Sequence, residues 1–427
     1  MLTKLEIKTE IKSLIKKFLI WRVLLIIPVI LATIFLPFRD SSLYTIFTGQ
    51  VDKYVEVDDS LIYPWGNFDG VHYLAISYRG YIDEGRFLPL YPILIRILST
   101  FIATIFDLEI TGSLLFWSGI FLSNLFFFLS LVLLKKLLEL DFKKEIVDKA
   151  IILILVFPTA FFFVSIYTES LFLFLSLLIL LLARKKKWWK AIILSSLLAI
   201  TRLPGTLILI PLIYEYIISE TSFEMNAKKM FSAKNKKDFK LNLFNLFHSL
   251  CKKWSGFLKF LITPILLIVF AAFNNYHWQD PFYFVHAHAA LGNGREVEGF
   301  VFPLITVYRY LKIFLTVSCR QYEFWVALLE FSSLIFALIG LVFAFIKKVR
   351  LSYLLFALAI ILLPLLSGTL TGFPRYLILA FPIFLGFANI FENKNYRVKV
   401  LWRVLIFICA SLQFLLIMLF ARGWFVA

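Results

Sequence analysis

Apolar runs of membrane-spanning length, flanked at one end by Lys or Arg, recur along the chain from residue 18 to residue 420. About 20 apolar residues cross a bilayer core as a helix. Runs near that length lie at 18–38, 112–134, 150–166, 169–184, 254–275, 323–346, 351–367, 375–391 and 399–420. The 427 residues are 61% apolar and include 49 Phe, against the 45–50% apolar content of ordinary soluble domains. That excludes a small globular enzyme and a disordered chain. Cys251, Cys319 and Cys409 are too scattered for a disulfide framework or a metal site. The chain reads as an all-α integral membrane protein forming one polytopic domain over residues 1–427, without internal repeats.

A net charge of +17 invites a nucleic-acid reading, but the distribution of that charge argues against one. Basic residues cluster between apolar runs, at Lys135 to Lys149, Arg184 to Lys190, Lys228 to Lys253, Lys347 to Arg350 and Lys394 to Lys399. This is the positive-inside pattern, which orients helices and meets anionic headgroups. Membrane lipids are therefore the expected partners of these blocks, and nucleic acid is not. Residues 1–17 interleave Lys with Leu and Ile at near-helical spacing, which predicts an amphipathic cytoplasmic helix. No small-residue cleavage site follows the first apolar run, so that run is read as a retained span.

Residues 191–218 are interrupted by Arg202-Leu203-Pro204-Gly205. Two half-spans broken there keep the basic loop 219–253 inside, and broken helices are tolerated where they line a cavity. The stretches 88–106 and 300–318 are read as interfacial or re-entrant. The expectation is then about 11 spans, with the N-terminus inside and the C-terminus outside.

On that topology the outer loop 39–111 is dense in acids and aromatics. Within it Asp69, His72 and Tyr73 fall at i, i+3 and i+4, one face of a helix. A carboxylate among aromatics at a membrane surface is partly desolvated, which raises its pKa toward the general-base range. The plainer alternative is an Asp capping an interfacial helix. Glu169, in Tyr167-Thr168-Glu169-Ser170, is costly between two spans unless paired or functional. Arg202 offers a fork for a phosphate or for a carboxylate such as Glu169. Arg375 either snorkels or faces a phosphate. His277, His286 and His288 with Asp280 lack a further Cys or a tight carboxylate pair, so no metal site is expected. No phosphate-cradling Gly-rich loop is followed by Lys, which removes an ATP-driven pump.

Trp65-x3-Asp69-x2-His72-Tyr73-Leu74-x-Ile76, continued by Gly80-Tyr81-x2-Glu84-x2-Phe87-x-Pro89-x2-Pro92, resembles the first outer loop of the PIG-V-type mannosyltransferases. That family belongs to the GT-C class of membrane glycosyltransferases and includes GPI mannosyltransferase 2. Phe157-Pro158-Thr159-Ala160-Phe161-Phe162 through Glu169-Ser170-Leu171-Phe172 is similar to a second block of the family. Arg202 with Gly205 is similar to a third, and Pro374-Arg375-Tyr376 through Phe381-Pro382 to a late one.

The resemblance implies a GT-C-like fold with interfacial helices in the first outer loop. It implies an inverting transferase that moves a sugar, usually mannose, from a polyprenyl- or dolichyl-phosphate carrier to a lipid or glycan acceptor, without a cofactor. Asp69 would be the base, Arg202 and Arg375 would face the phosphate, and His72, Tyr73, Glu84 and Glu169 would shape the pocket. A lipid-linked-sugar flippase or transporter is the alternative, since it would share the broken helices and the buried charges without needing Asp69. The Lys-, Ile- and Phe-rich composition suggests an AT-rich microbial genome and hence the cell membrane, or the endoplasmic reticulum membrane in a eukaryote.

Overall fold

The computed structural model of the chain describes residues 4–39, 61–82, 84–220, 254–287, 299–392 and 395–427. The acids of 40–60, Asp83, most of the predicted basic loop 219–253 and His288 lie outside the described residues. The first half comprises α1 (Lys4–Leu24), α2 (Ile26–Phe35), α3 (Asp69–Arg79), α4 (Leu90–Phe106), α5 (Gly112–Leu138), α6 (Lys144–Val156), α7 (Glu169–Arg184), α8 (Trp188–Ala199) and α9 (Leu209–Glu220). The second comprises α10 (Ile265–Trp278), α11 (Tyr283–His286), α12 (Pro303–Thr316), α13 (Tyr322–Ile346), α14 (Leu351–Leu366), α15 (Phe373–Leu377), α16 (Phe381–Ile390) and α17 (Tyr396–Ala421). Short 3-10 turns at Tyr63–Gly66, Ala160–Val164, Leu203–Ile208 and Trp254–Ile262 complete the order. No strand occurs among the described residues.

Five helical stretches are long and apolar enough to cross a membrane: Thr9–Phe35, Gly112–Leu138, Leu203–Glu220, Tyr322–Ile346 and Tyr396–Ala421. Trp254–Ile262 with Ile265–Trp278, bent by 41°, makes a sixth if the pair is one span. This is fewer than the 11 read from hydropathy, and proline supplies much of the reason. The run 150–166 stops at Val156 because Phe157 precedes Pro158 and is extended, at φ −61 and ψ 140. The run 375–391 divides into α15 and α16, with Pro382 at the start of the second piece. The run 191–218 divides at residues 200–202, before Pro204, where the two half-spans are expected to part, and its second piece reaches span length alone. The stretches 88–106 and 300–318 form α4 and α12, of 17 and 14 residues. The expected amphipathic helix 1–17 is not a separate element, because α1 runs through residue 17 to Leu24.

Apolar side chains both fill the bundle and face outward. Phe116, Phe127, Phe161, Phe162, Phe163 and Phe172 are fully buried, whereas Ile34, Phe35, Phe345 and Phe407 are exposed. An outward apolar surface of this kind needs an apolar partner, and on span-length helices that partner is lipid. The short helix α16 is sealed inside, packed on α6 and α13. Its crossing with α13 is a meeting of glycines, since a Cβ on Gly386 would strike the carbonyl oxygen of Gly340. Small residues let membrane helices approach closely where lipid removes the hydrophobic drive between them.

Charges gather at the two ends of α7. At its C-terminus Arg184 grips Asp141 through both terminal nitrogens, with Nη2 to Oδ1 at 2.9 Å. At its N-terminus lies Glu169. Fifteen residues at about 1.5 Å each separate the two by roughly 22 Å.

Candidate active site

The first two motif blocks are zipped together by hydrogen bonds to main-chain carbonyls. Ile166 N donates to Trp65 O at 2.9 Å, and the Tyr167 hydroxyl donates to Asn67 O at 2.9 Å. Asn67 in turn donates through Nδ2 to Phe420 O on α17, at 3.1 Å. The late block joins them where Thr159 donates its hydroxyl to Pro374 O at 2.7 Å. Blocks far apart in sequence thus converge at one end of the bundle. Phe68 precedes α3 with φ 58, a left-handed conformation that strains a bulky residue and is held by rings of Phe420 and Phe425. That turn starts α3 at Asp69, so the carboxylate stands at the positive end of a helix.

A cavity of about 250 Å³ opens at this point. Asp69, Tyr73, Arg86, Arg202, Arg375 and Tyr376 supply its ionisable wall. Ser367, Thr371 and Gly372 add small polar groups, while Leu88, Phe284 and Val285 form an apolar side. Arg375 Nη1 donates to Asp69 Oδ2 at 2.6 Å, and the guanidinium lies 5.4 Å from the ring centroids of Phe162 and Tyr167. Arg202 is ion-paired with the fully buried Glu169 and lies over the Tyr376 ring. Of the two partners foreseen for Arg202, the structure supplies the carboxylate. The Asp69 side chain remains 31% exposed, so its carboxylate is open to a ligand in the cavity.

The electrostatics differ from the expectation of a raised carboxylate. Burial does push the Asp69 pKa up, but the charge and hydrogen bond of Arg375, with His72 and Arg202 behind them, outweigh it and hold the carboxyl at about 2. Periodicity along 69–73 could not reveal a cation contributed from residue 375. His72 moves the other way. Burial, followed by the charge of Arg86, depresses the imidazole to about 4, so it is neutral at pH 7. It stacks on Phe87 at 4.8 Å and accepts from Arg86 Nη2 at 3.0 Å through Nε2, which places the imidazole proton on Nδ1.

Of the residues singled out in the sequence, Asp69, Tyr73, Arg202 and Arg375 line the cavity directly. Tyr73 also lies 3.5 Å from the Thr168 hydroxyl, with burial and the Asp69 charge keeping its phenol protonated. His72 stands behind Arg86, and Glu169 behind Arg202. Glu84 is not among the lining residues; it is buried and paired with Arg79 at 2.6 Å, bracing the loop after α3. His286 bonds Asp280 at 2.7 Å, and among the described residues no three His, Cys, Asp or Glu side chains gather as metal ligands.

Arg86 was not foreseen. Its signal was a lone basic residue between Glu84 and Phe87 in an otherwise acidic loop. The stretch 365–372 was also missed, and only packing reveals it. Thr306 donates to Leu365 O at 2.7 Å and Arg309 to Gly368 O at 3.0 Å. Leu370 N donates to the Tyr310 hydroxyl at 3.0 Å. The buried Glu330 accepts from Tyr310 at 2.5 Å and from Gly372 N at 3.2 Å. Gly372 has φ 78, which needs a glycine, and α15 with Arg375 follows directly.

A helical bundle with several span-length apolar helices and a polar, cationic chamber at one end defines a multi-pass membrane protein. The family model for Mannosyltransferase (PIG-V) matches residues 11–314, and the chain belongs to that family. The match contains Asp69 through Arg202, while Arg375 lies beyond it. No curated protein sequence matches the chain. Among solved structures it is similar to the Archaeoglobus fulgidus oligosaccharyltransferase in complex with Zn and sulfate, at 15% identity and a TM-score of 0.45, over 84% of this chain and 49% of that one. The same enzyme tethered with an acceptor peptide containing the NVT sequon gives 15% identity and a TM-score of 0.45, over 95% and 55%. The chain therefore spans about half the length of these structures.

Proposed function

We propose that this family member is an inverting glycosyltransferase. It moves a sugar, mannose on the family's description, from a polyprenyl-phosphate carrier to a hydroxyl of a lipid or glycan acceptor at the outer face of the membrane. The observation that carries the reading is the Asp69–Arg375 pair on the cavity wall, a carboxylate and a guanidinium from opposite ends of the chain.

In this mechanism the acceptor oxygen attacks the anomeric carbon as the bond from that carbon to the phosphate oxygen breaks. The bonding pair leaves with the phosphate, and the acceptor proton goes to Asp69. Asp69 passes from −1 to neutral while the carrier passes from a singly charged diester to a monoester with a second ionisable oxygen. Arg375 can follow the charge, releasing its hydrogen bond to Asp69 and donating to the phosphate. Losing that cation raises the carboxylate's proton affinity when it must act as a base. A cation facing developing charge stabilises it more in a water-poor site than in water.

The proposed setting is a cell membrane crossed 11 times, with shorter helices such as α7 and α16 crossing inside the bundle rather than against lipid. The test is transfer of labelled mannose from polyprenyl-phosphate-mannose into membrane extract by purified wild type and Asp69→Asn. Wild-type transfer with a loss of about 10² to 10⁴ in an equally stable variant supports the base. Equal transfer by both removes Asp69 from the chemistry, and no transfer by either favours the flippase.

A further inference from the structure

Three guanidiniums line the cavity, and they are not equivalent. Arg375 is bound to Asp69, and Arg202 to Glu169. Arg86 meets no carboxylate among the described residues. Its hydrogen bond goes to the Nε2 of His72, and its charge lies 4.9 Å from the Phe87 ring centroid. An imidazole acceptor fixes the direction of a guanidinium without cancelling its charge, whereas a carboxylate does both. Arg86 is itself only partly buried.

The surface beside Arg86 is apolar. Leu88, Phe270 and Phe284 form a small separate cluster with Leu203 and Val285 packed against it. Leu88, Leu203, Phe284 and Val285 also line the cavity. Gly85 makes this juxtaposition possible, because a Cβ there would come within 2.8 Å of the Trp278 ring and closer still to Tyr283. Along α10, which carries Phe270, the residues Ile265, Ile268 and Val269 are exposed. A charged anchor thus adjoins an apolar wall that continues onto a lipid-facing helix.

We propose that Arg86 is the first anchor for a phosphate ester borne on a long apolar chain, with Leu88, Phe284 and Val285 receiving the carbons next to the phosphate. This rests on the glycosyltransferase reading only in taking the ligand to be the sugar carrier. Arg86 holds the phosphate in the ground state, while Arg375, occupied by Asp69 until transfer, acts on the charge that develops. Removing Arg86 therefore weakens binding more than turnover, and removing Arg375 does the reverse.

The experiment measures binding to the purified full chain in detergent by ligand-induced melting shift. The probes are undecaprenyl phosphate, undecaprenol and inorganic phosphate. For wild type we expect a shift with undecaprenyl phosphate and none with undecaprenol or millimolar inorganic phosphate. Arg86→Gln should raise the dissociation constant at least tenfold, Arg86→Lys less, and the exposed Arg96→Gln not at all. In transfer assays Arg86→Gln should raise the donor KM at least tenfold with kcat within about threefold. An Arg86→Gln protein that binds like wild type overturns the proposal, as do equal wild-type shifts with undecaprenol. A shift with inorganic phosphate alone overturns the lipid part. Should Arg86→Gln fail to fold, wild-type binding by Arg86→Lys together with His72→Phe overturns it equally. Because binding is read without turnover, failure of Asp69 as base leaves this result independent.

Discussion

Asp69 is the residue on which sequence and structure agree in place and differ in proton affinity. Its position on the cavity follows from the strained turn at Phe68 and the start of α3, but its carboxyl is held near 2 by an arginine 306 residues away. A base with a depressed pKa is active when ionised, so activity persists above that pKa and falls as pH drops through it. For the free enzyme the acid limb of kcat/KM that belongs to Asp69 should lie below the pH range in which the protein is normally assayed. Arg375→Met removes the largest lowering influence and leaves the burial that raises the pKa. Its acid limb should then move up to or above the ordinary carboxylate range near 4, on a kcat reduced by 10² or more. A limb that stays in place would show that another group titrates.

At the scale of elements, the site depends on irregular backbone rather than on long helices. Gly205 illustrates this, since a Cβ there would collide with the Leu198 carbonyl where Leu203–Ile208 folds back on α8. That fold presents Arg202 to the cavity. The stretch 365–372 does the same for Arg375 and is fastened by α12 and by Glu330 on α13. Glu330→Leu would leave the Gly372 amide and the Tyr310 hydroxyl without that acceptor, at a cost of about 1–3 kcal/mol. Thermal unfolding in detergent should show that loss for the Leu variant, and Glu330→Gln should recover most of it by restoring an acceptor. Transfer activity should track this order, because Arg375 lies three residues beyond the fastened amide. Activity unchanged in the Leu variant would separate this stretch from the site.

At the scale of the whole molecule, the proposed orientation can be read from the native cysteines. Cys319 is exposed in the connection between α12 and α13, which the proposed topology puts outside. Cys251 falls in the basic segment assigned to the inside, and Cys409 is buried within α17. Single-cysteine variants treated on intact cells with an impermeant maleimide should label at Cys319 only, and Cys251 should join it after permeabilisation. Labelling of Cys251 without permeabilisation would reverse the orientation and with it the assignment of the chemistry to the outer face.

The membrane class, the helical architecture and the family were legible in the sequence because each depends on local pattern. Apolar run length is set against bilayer thickness, basic blocks against headgroups, and the blocks around Asp69, Phe157 and Arg202 lie within a continuous family match. What each charged residue faces depends on contacts across hundreds of positions. Glu169 turned out to neutralise Arg202, Glu84 to brace Arg79, and Arg375 to hold Asp69. The break of 191–218 beside Pro204 was legible in the sequence, whereas the end of the helix at Phe157 became clear only where the pieces packed. Hydropathy measures whether a segment can leave water, and it carries no information on which buried charge will find which partner. In a low-dielectric interior that pairing decides which guanidinium keeps its charge uncancelled, and among the described residues of the cavity wall Arg86 is the one without a carboxylate partner.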